Sequence, residues 1–291
     1  MFATQLPYLK LFTGNTDATV GELILPSPGT TLPHPVLTPA SLQVDPEIRQ
    51  LLAAGKPLVL VYHTHTQEAY LGPDFERRGL TYDDAFTLDQ RRNMIRVGEE
   101  FARVLSQQYG IPVLHVRQYF DLPPDRQGVT KIGAYLRSLA VVEPLVRQNP
   151  QLRVVIDFHR DAFPESVPVS TAVAQLPGQG NAARIMFVVG QGVAGRLEQP
   201  YAPFNLALAR RLNQWLETYY PGLSRGVLKD HNRYNQHLSP GALLIEVGEV
   251  HNTLEQALTS ARILAHAVAQ EILAGKVPAT AEVRPTGAGT R

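Results

Sequence analysis

The chain has 291 residues, 27 Lys and Arg against 26 Asp and Glu for a formal net charge of +1, and no cysteine. A balance so close to neutral offers no field for a nucleic acid partner, and the missing thiols exclude disulfides, a cysteine nucleophile and thiolate metal ligands. Any metal must then be held by His, Asp or Glu. With 44% apolar residues there is material for one sizeable core.

Residues 1–45 carry Pro7, Pro26, Pro28, Pro33, Pro35 and Pro39 without sustained periodicity, which predicts a linker or a wrapping segment. Residues 1–25 lack the charged start and apolar stretch of a secretion signal, and no run of about 18 apolar residues occurs, so no membrane segment is expected in this chain. A leader or anchor would have to stand upstream of Met1. A short helix is expected over 45–54, then an uncharged Leu-Val-Leu-Val run at 58–61 that suits a central strand covered on both faces. Residues 70–90 read as a long loop beside whatever that strand delivers.

Met94, Val97, Phe101, Val104 and Leu105 recur at helical spacing and predict a helix over 90–108, followed by a strand at 112–116. Another helix is expected from near Gly128, with Ile132, Leu136 and Leu139 inward, stopping near Val142 because Pro144 lacks an N–H. A strand at 153–159 leads into a loop reaching to about 181, long enough to suggest a lid or binding role. A strand follows at 184–190. A helix starting at Pro203 carries Phe204, Leu208, Leu212, Trp215 and Tyr219 as its buried stripe. Residues 228–240 look irregular, 242–247 form a strand, and Thr253 with Gln256 makes a capping box for a last helix. Beyond Gly275 a disordered tail, 276–291, is expected. Alternating strands and helices imply one domain over 46–275, a three-layer α/β fold with a mainly parallel sheet.

Chemistry collects at strand ends, where α/β sheets build their sites. The first strand runs into His63-Thr-His65-Thr-Gln-Glu68, and H-x-x-E lets an imidazole and a carboxylate meet one cation at roughly 2.0–2.2 Å. A catalytic zinc takes three protein ligands and keeps one position open. The strand at 153–159 closes on His159, the expected third ligand. His63 shares a side with His65 in an extended segment, so it is a further candidate, as ligand or as support. Glu246 lies in an apolar strand where a carboxylate is costly without a purpose, and it is the expected general base. Asp157 is expected to orient a neighbour. Arg160 is read either as the partner of Asp161 or as a holder of a substrate carboxylate. Arg233, Asn235 and His237 form a polar cluster read as the substrate-contacting wall, with Asn235 or His237 stabilising a developing oxyanion. The reaction this constellation suits is hydrolysis of an amide.

Six stretches carry a family resemblance: Tyr62-His-Thr-His65-Thr-Gln-Glu68; Asn93-Met-Ile-Arg-Val-Gly98; Val155-Ile-Asp-Phe-His159-Arg-Asp-Ala162; Met186-Phe-Val-Val-Gly190; and Pro221-Gly-Leu-Ser-Arg-Gly226 with Arg233-Tyr-Asn-Gln-His-Leu-Ser-Pro-Gly-Ala-Leu-Leu-Ile-Glu246-Val-Gly248. Over residues 57–272 the chain resembles the stage II sporulation protein P family of zinc-dependent N-acetylmuramoyl-L-alanine amidases. The resemblance implies a phosphorylase/hydrolase-like α/β fold akin to cell-wall amidases, acting outside the cytoplasm on peptidoglycan at the amide between the lactyl group and the stem peptide. It also implies endopeptidase activity on cross-links and cooperation with a glycan-cleaving sporulation protein during engulfment. By motif, His65, Glu68 and His159 look like the zinc set and Glu246 the base. In the wider amidase group the carboxylate ligand sits at the start of the first long helix. Here that neighbourhood holds Asp89 and Asn93, with no glutamate before Glu99, which favours Glu68. The rival readings are a zinc carboxypeptidase and a wall-binding module with a dead site.

Overall fold

A computed structural model describes residues 22–24, 43–122, 129–163, 167–178, 180–193 and 195–283. Its elements in chain order are β1 (Glu22–Ile24), α1 (Pro46–Ala53), β2 (Val59–Tyr62), α2 (Met94–Tyr109), β3 (Val113–His115), α3 (Ala134–Gln148), β4 (Val154–Asp161), β5 (Val173–Leu176), β6 (Gly180–Ala183), β7 (Ile185–Gly190), α4 (Ala202–Tyr219), β8 (Ser224–Asp230), β9 (Ala242–Glu249) and α5 (Leu254–Leu273). Seven strands form one sheet in the order β1-β3-β2-β4-β9-β7-β8. The expected mainly parallel sheet is there: β3, β2, β4 and β9 run parallel. At one edge β7 and β8 run together but against β9, and at the other β1 runs against β3.

Alternation along the strands sorts the core into two layers. Val59, Val61, Ile156, Phe158, Leu243 and Ile245 pack with α2, α4 and α5. On the opposite face Leu60, Tyr62, Val155 and Ala242 pack with Val142 and Val146 of α3. Among the described residues no helix is long and apolar enough to cross a membrane.

Several local expectations need correction. Pro144 does not end α3, which runs on to Gln148. Pro144 and Ala140 both face solvent, so the carbonyl that proline leaves unbonded is open to water. The buried row of α3 is Ala134, Ser138, Val142 and Val146, whereas Ile132 and Leu136 are exposed. Gly133, at φ 72°, starts the helix later than its apolar residues suggest and turns its face. On α4 the row is Leu208, Leu212 and Leu216, and Phe204 and Tyr219 lie at the surface. The loop expected to reach to 181 contains the β5–β6 hairpin. The segment read as irregular from 228 begins inside β8, an edge strand in which neighbouring Leu228 and Lys229 are both exposed, so no alternation marks it. The supposed linker contributes β1, and its other residues before 43 lie outside the described residues. Of the expected tail, Val277 and Ala279 are buried, while 284–291 lie outside the described residues.

Candidate metal centre

Alternation brings His63 to the α2 face with Val59 and Val61. The turn that follows breaks the alternation: Thr66 Oγ1 donates to the His63 carbonyl (2.6 Å) and the Glu68 N–H to the His65 carbonyl (3.2 Å). His65 and Glu68 are thereby carried to the α3 face. His159 points to the same face from β4, two residues beyond Asp157, and Glu246 of β9 is its cross-strand neighbour.

Around Glu68 the donors converge. His65 Nδ1 lies 3.4 Å from Oε1, and His159 Nδ1 lies 3.4 Å from Oε2. One ligand atom from each of the three residues lies within 4.8 Å of the others. Two ligands at about 2.0–2.2 Å from a tetrahedral cation stand about 3.3–3.6 Å apart, so both imidazole–carboxylate separations suit a zinc-sized ion.

A buried network holds His159 from behind. Its Nε2 sits 3.0 Å from Asp157 Oδ1, a bent approach off the ring's N–H axis and largely electrostatic. Asp157 in turn accepts the Thr64 N–H at Oδ1 (2.7 Å) and Thr64 Oγ1–H at Oδ2 (2.6 Å). Ser138 Oγ of α3 is 2.9 Å from Thr64 Oγ1 and accepts from Asn235 Nδ2 at 3.1 Å. Such a carboxylate behind an imidazole fixes the ring and leaves its other nitrogen toward the ligand position.

The electrostatics favour positive charge here. Burial works to lower the His159 pKa, but Asp157 and Glu68 outweigh it and hold the ring well above its ordinary range. Burial likewise opposes ionisation of Glu68, yet His159, His65 and Arg160 hold its carboxyl well below the usual range. Glu246 differs. Burial first, then the charges of Glu68 and Asp161, push it up to about 8 against the pull of His159 and Arg225. Its Oε2 is buried with no hydrogen-bond partner among the described residues. A carboxyl poised near neutrality with a free oxygen can take and return a proton.

Tyr135, from the first turn of α3, was invisible as a site residue because no motif surrounds it. Its ring stacks on His159 (6.4 Å, 14°) and meets His65 edge-on (5.7 Å), with Tyr234 beside it at 5.6 Å. Thr64 and Ser138 were also missed, since hydroxyls in a turn and a helix carry no spacing signal.

Other expected site residues fall elsewhere. His63 does not join the cluster. Its ring is on the opposite face, with Nε2 2.9 Å from Nε2 of His115. Arg160 neither pairs with Asp161 nor stands free for a substrate. Its Nε and Nη2 donate to the carbonyls of Ala69 and Ala85, its guanidinium lies 4.9 Å over Phe86, and its backbone N–H donates to Glu68 Oε2. It fastens the loop that carries Glu68. Asn235 is buried and bonded to Ser138 and the Tyr135 carbonyl, so it braces the network rather than walling a substrate. His237 lies among Glu143, Val146 and Arg147, more than a turn further along α3 than Ser138, and the charge of Arg233 bears on it there. His237 is not part of the cluster. Asp89 is held by Arg91, and Glu99 by Arg96 and Arg117.

The family description for stage II sporulation protein P matches residues 35–269. The chain belongs to the stage II sporulation protein P family. It is 31% identical over 215 residues to stage II sporulation protein P of Bacillus subtilis (strain 168), covering 72% of this chain and 50% of that protein. The chain thus spans about half the length of the curated relative it matches. Among solved structures, an N-acetylmuramoyl-L-alanine amidase from Clostridium difficile 630 aligns over 75% of this chain and 97% of its own, at 13% identity and a TM-score of 0.44. The amidase AmiC2 of Nostoc punctiforme aligns over 75% and 95%, at 14% identity and a TM-score of 0.38.

Proposed function

We propose that the chain is a zinc-dependent peptidoglycan hydrolase that cleaves the amide between N-acetylmuramic acid and the stem peptide. The observation that carries this reading is the convergence of His65, Glu68 and His159 on one point with Glu246 alongside. When bound, zinc would polarise the scissile carbonyl and lower the pKa of water in the site. Glu246 would take a proton from the attacking water as its oxygen bonds to the carbonyl carbon. It would return that proton to the amide nitrogen as the C–N bond breaks. Asp157 would keep the His159 ring turned toward the ligand position, and Tyr135 would shield the site from solvent. Membership of the family supports action at the cell wall in sporulation, with endopeptidase activity and a glycan-cleaving partner as extensions of the same reading.

Metal-loaded protein incubated with purified sacculi should release stem peptides, and a chelator should stop the release until zinc is restored. Glu246→Gln should lower turnover about 10²- to 10⁴-fold while still binding zinc. Trimming of free peptides from their C-termini, with sacculi left intact, would instead establish the carboxypeptidase reading. Metal-loaded protein that binds sacculi and releases nothing would establish the wall-binding module.

A further inference from the structure

The edge strand β8 departs from its partner at one place. Ile185 pairs with Ser224 and Met186 with Gly226, so Arg225 is the extra residue of a bulge, a device that re-aims a side chain. Here the side chain is aimed back across the sheet. Nη1 donates to Asp161 Oδ2 at 2.9 Å, two residues past His159, and the guanidinium lies 4.8 Å over the ring of Phe163. Glu246, Met186 and Gly226 are neighbours in one row across β9, β7 and β8. At about 4.8 Å per strand, the bulge is two steps from the base, within the span of an arginine.

The guanidinium is unevenly used. Nη1 is paired, whereas Nε and Nη2 are buried and have no hydrogen-bond partner among the described residues, which folded proteins rarely leave unexplained. Those two N–H groups are one edge of the fork and point the same way. Parallel donors on that edge match the two oxygens of a carboxylate. The arginine side chain as a whole is 12% exposed, so a carboxylate pairing with that edge would be largely shielded from water.

We propose that Arg225 reads a carboxylate on the peptide portion of the substrate, held side-on by Nε and Nη2, and so selects which amides reach Glu246. This rests on the amidase reading. In that substrate the lactyl carboxyl is consumed in the scissile amide and the N-acetylated glycan carries no other. An anion reader beside the base must therefore address the peptide. Asp161 holds the opposite end of the guanidinium and fixes its orientation.

Two probes decide it: N-acetylmuramoyl-L-alanyl-D-glutamate capped at the γ-carboxyl as a methylamide, and the same compound with its α-carboxylate converted to a carboxamide. Metal-loaded wild type should prefer the carboxylate in kcat/KM by about ten- to a hundredfold. Arg225→Lys, which keeps the charge and loses the fork, should bring the two probes close to equal. The paired change Arg225→Met with Asp161→Asn leaves no unmatched charge and should do the same if Arg225→Lys folds poorly. A preference absent from wild type, or unchanged in these variants, overturns the proposal. If wild type cleaves neither probe, release of stem peptides from sacculi shows whether the amidase reading stands, and calorimetric titration of the Glu246→Gln protein still decides the role of Arg225. A ten- to hundredfold tighter Kd for the carboxylate probe supports it, and equal Kd values overturn it.

Discussion

His63 and His65 leave the same strand two residues apart and end on opposite faces of the sheet. On the α2 face His63 meets His115 and stacks on Phe158 (6.3 Å, 22°), and Gly98 leaves no space beside them, since a Cβ there would stand 2.7 Å from His63 and 2.9 Å from His115. Among the described residues no carboxylate is hydrogen-bonded to that pair, and burial pushes His63 down to about 3 although the charge of Glu68 works against it. On the α3 face His65 and His159 share Glu68, and Asp157 backs His159. Identical side chains thus become a neutral core pair or part of a candidate cation site according to whether carboxylates accompany them into the interior. What decides between them is the turn at 64–67, which ends the strand's alternation one residue after His63.

The sharpest way to break this comparison is to delete each histidine in turn. His65→Ala should abolish stoichiometric zinc, measured by atomic absorption after dialysis, and leave thermal unfolding of the metal-free protein within about 1 kcal/mol of wild type. His63→Ala should do the reverse. It leaves a cavity and an unpaired His115 nitrogen, costing about 2–4 kcal/mol by urea unfolding, while the folded fraction still binds one zinc. If His63→Ala loses metal and His65→Ala keeps it, the assignment of faces is wrong.

Asp157 tests the network behind the site at a smaller scale. Asp157→Asn removes the carboxylate facing His159 and should weaken zinc binding about 10- to 100-fold, read by competition with a chromophoric chelator. Ser138→Ala, one hydrogen bond further out, should have a lesser effect in the same direction. Equal affinities for all three proteins would mean that packing alone orients His159.

The grouping of these side chains was legible in the sequence because apolar runs that close on His65, Glu68, His159 and Glu246 break a hydrophobic pattern, and parallel strands bring their ends together. The turn that separates His63 from His65 was not legible. Periodicity places both on one side, and only the Thr66 and Glu68 hydrogen bonds reverse it. Arg160 and His237 misled for a related reason. A charged or polar residue beside a site looks the same in sequence whether it faces substrate or fastens a loop, and Arg160 spends its donors on the carbonyls of Ala69 and Ala85. Pro144 misled because its cost depends on whether the carbonyl it abandons faces water, a tertiary fact.

The mildest test concerns acid, and it separates the core histidines from the site without touching any ligand. His115 is held well below its ordinary range by burial, with the charges of His63 and Arg117 adding to the effect. Burial alone lowers His266, whose Nδ1 is 2.7 Å from Tyr109 Oη, to about 4. In the unfolded chain both titrate near 6.5, so between that value and their folded values the unfolded state binds more protons. Stability therefore rises with pH across this window and is lost on acidification, by about 1.4 kcal/mol per pH unit for each histidine kept neutral by the fold. Urea unfolding of metal-free protein between pH 6.5 and 5 should show this slope, metal-free so that proton competition for the ligands does not enter. His115→Gln keeps a polar partner for His63 but cannot titrate, and it should flatten the slope by about 1.4 kcal/mol per unit even if it is less stable at pH 7. An unchanged slope would mean that His115 already carries its proton in the fold, and the α2 face would then be no more a neutral core than the α3 face is.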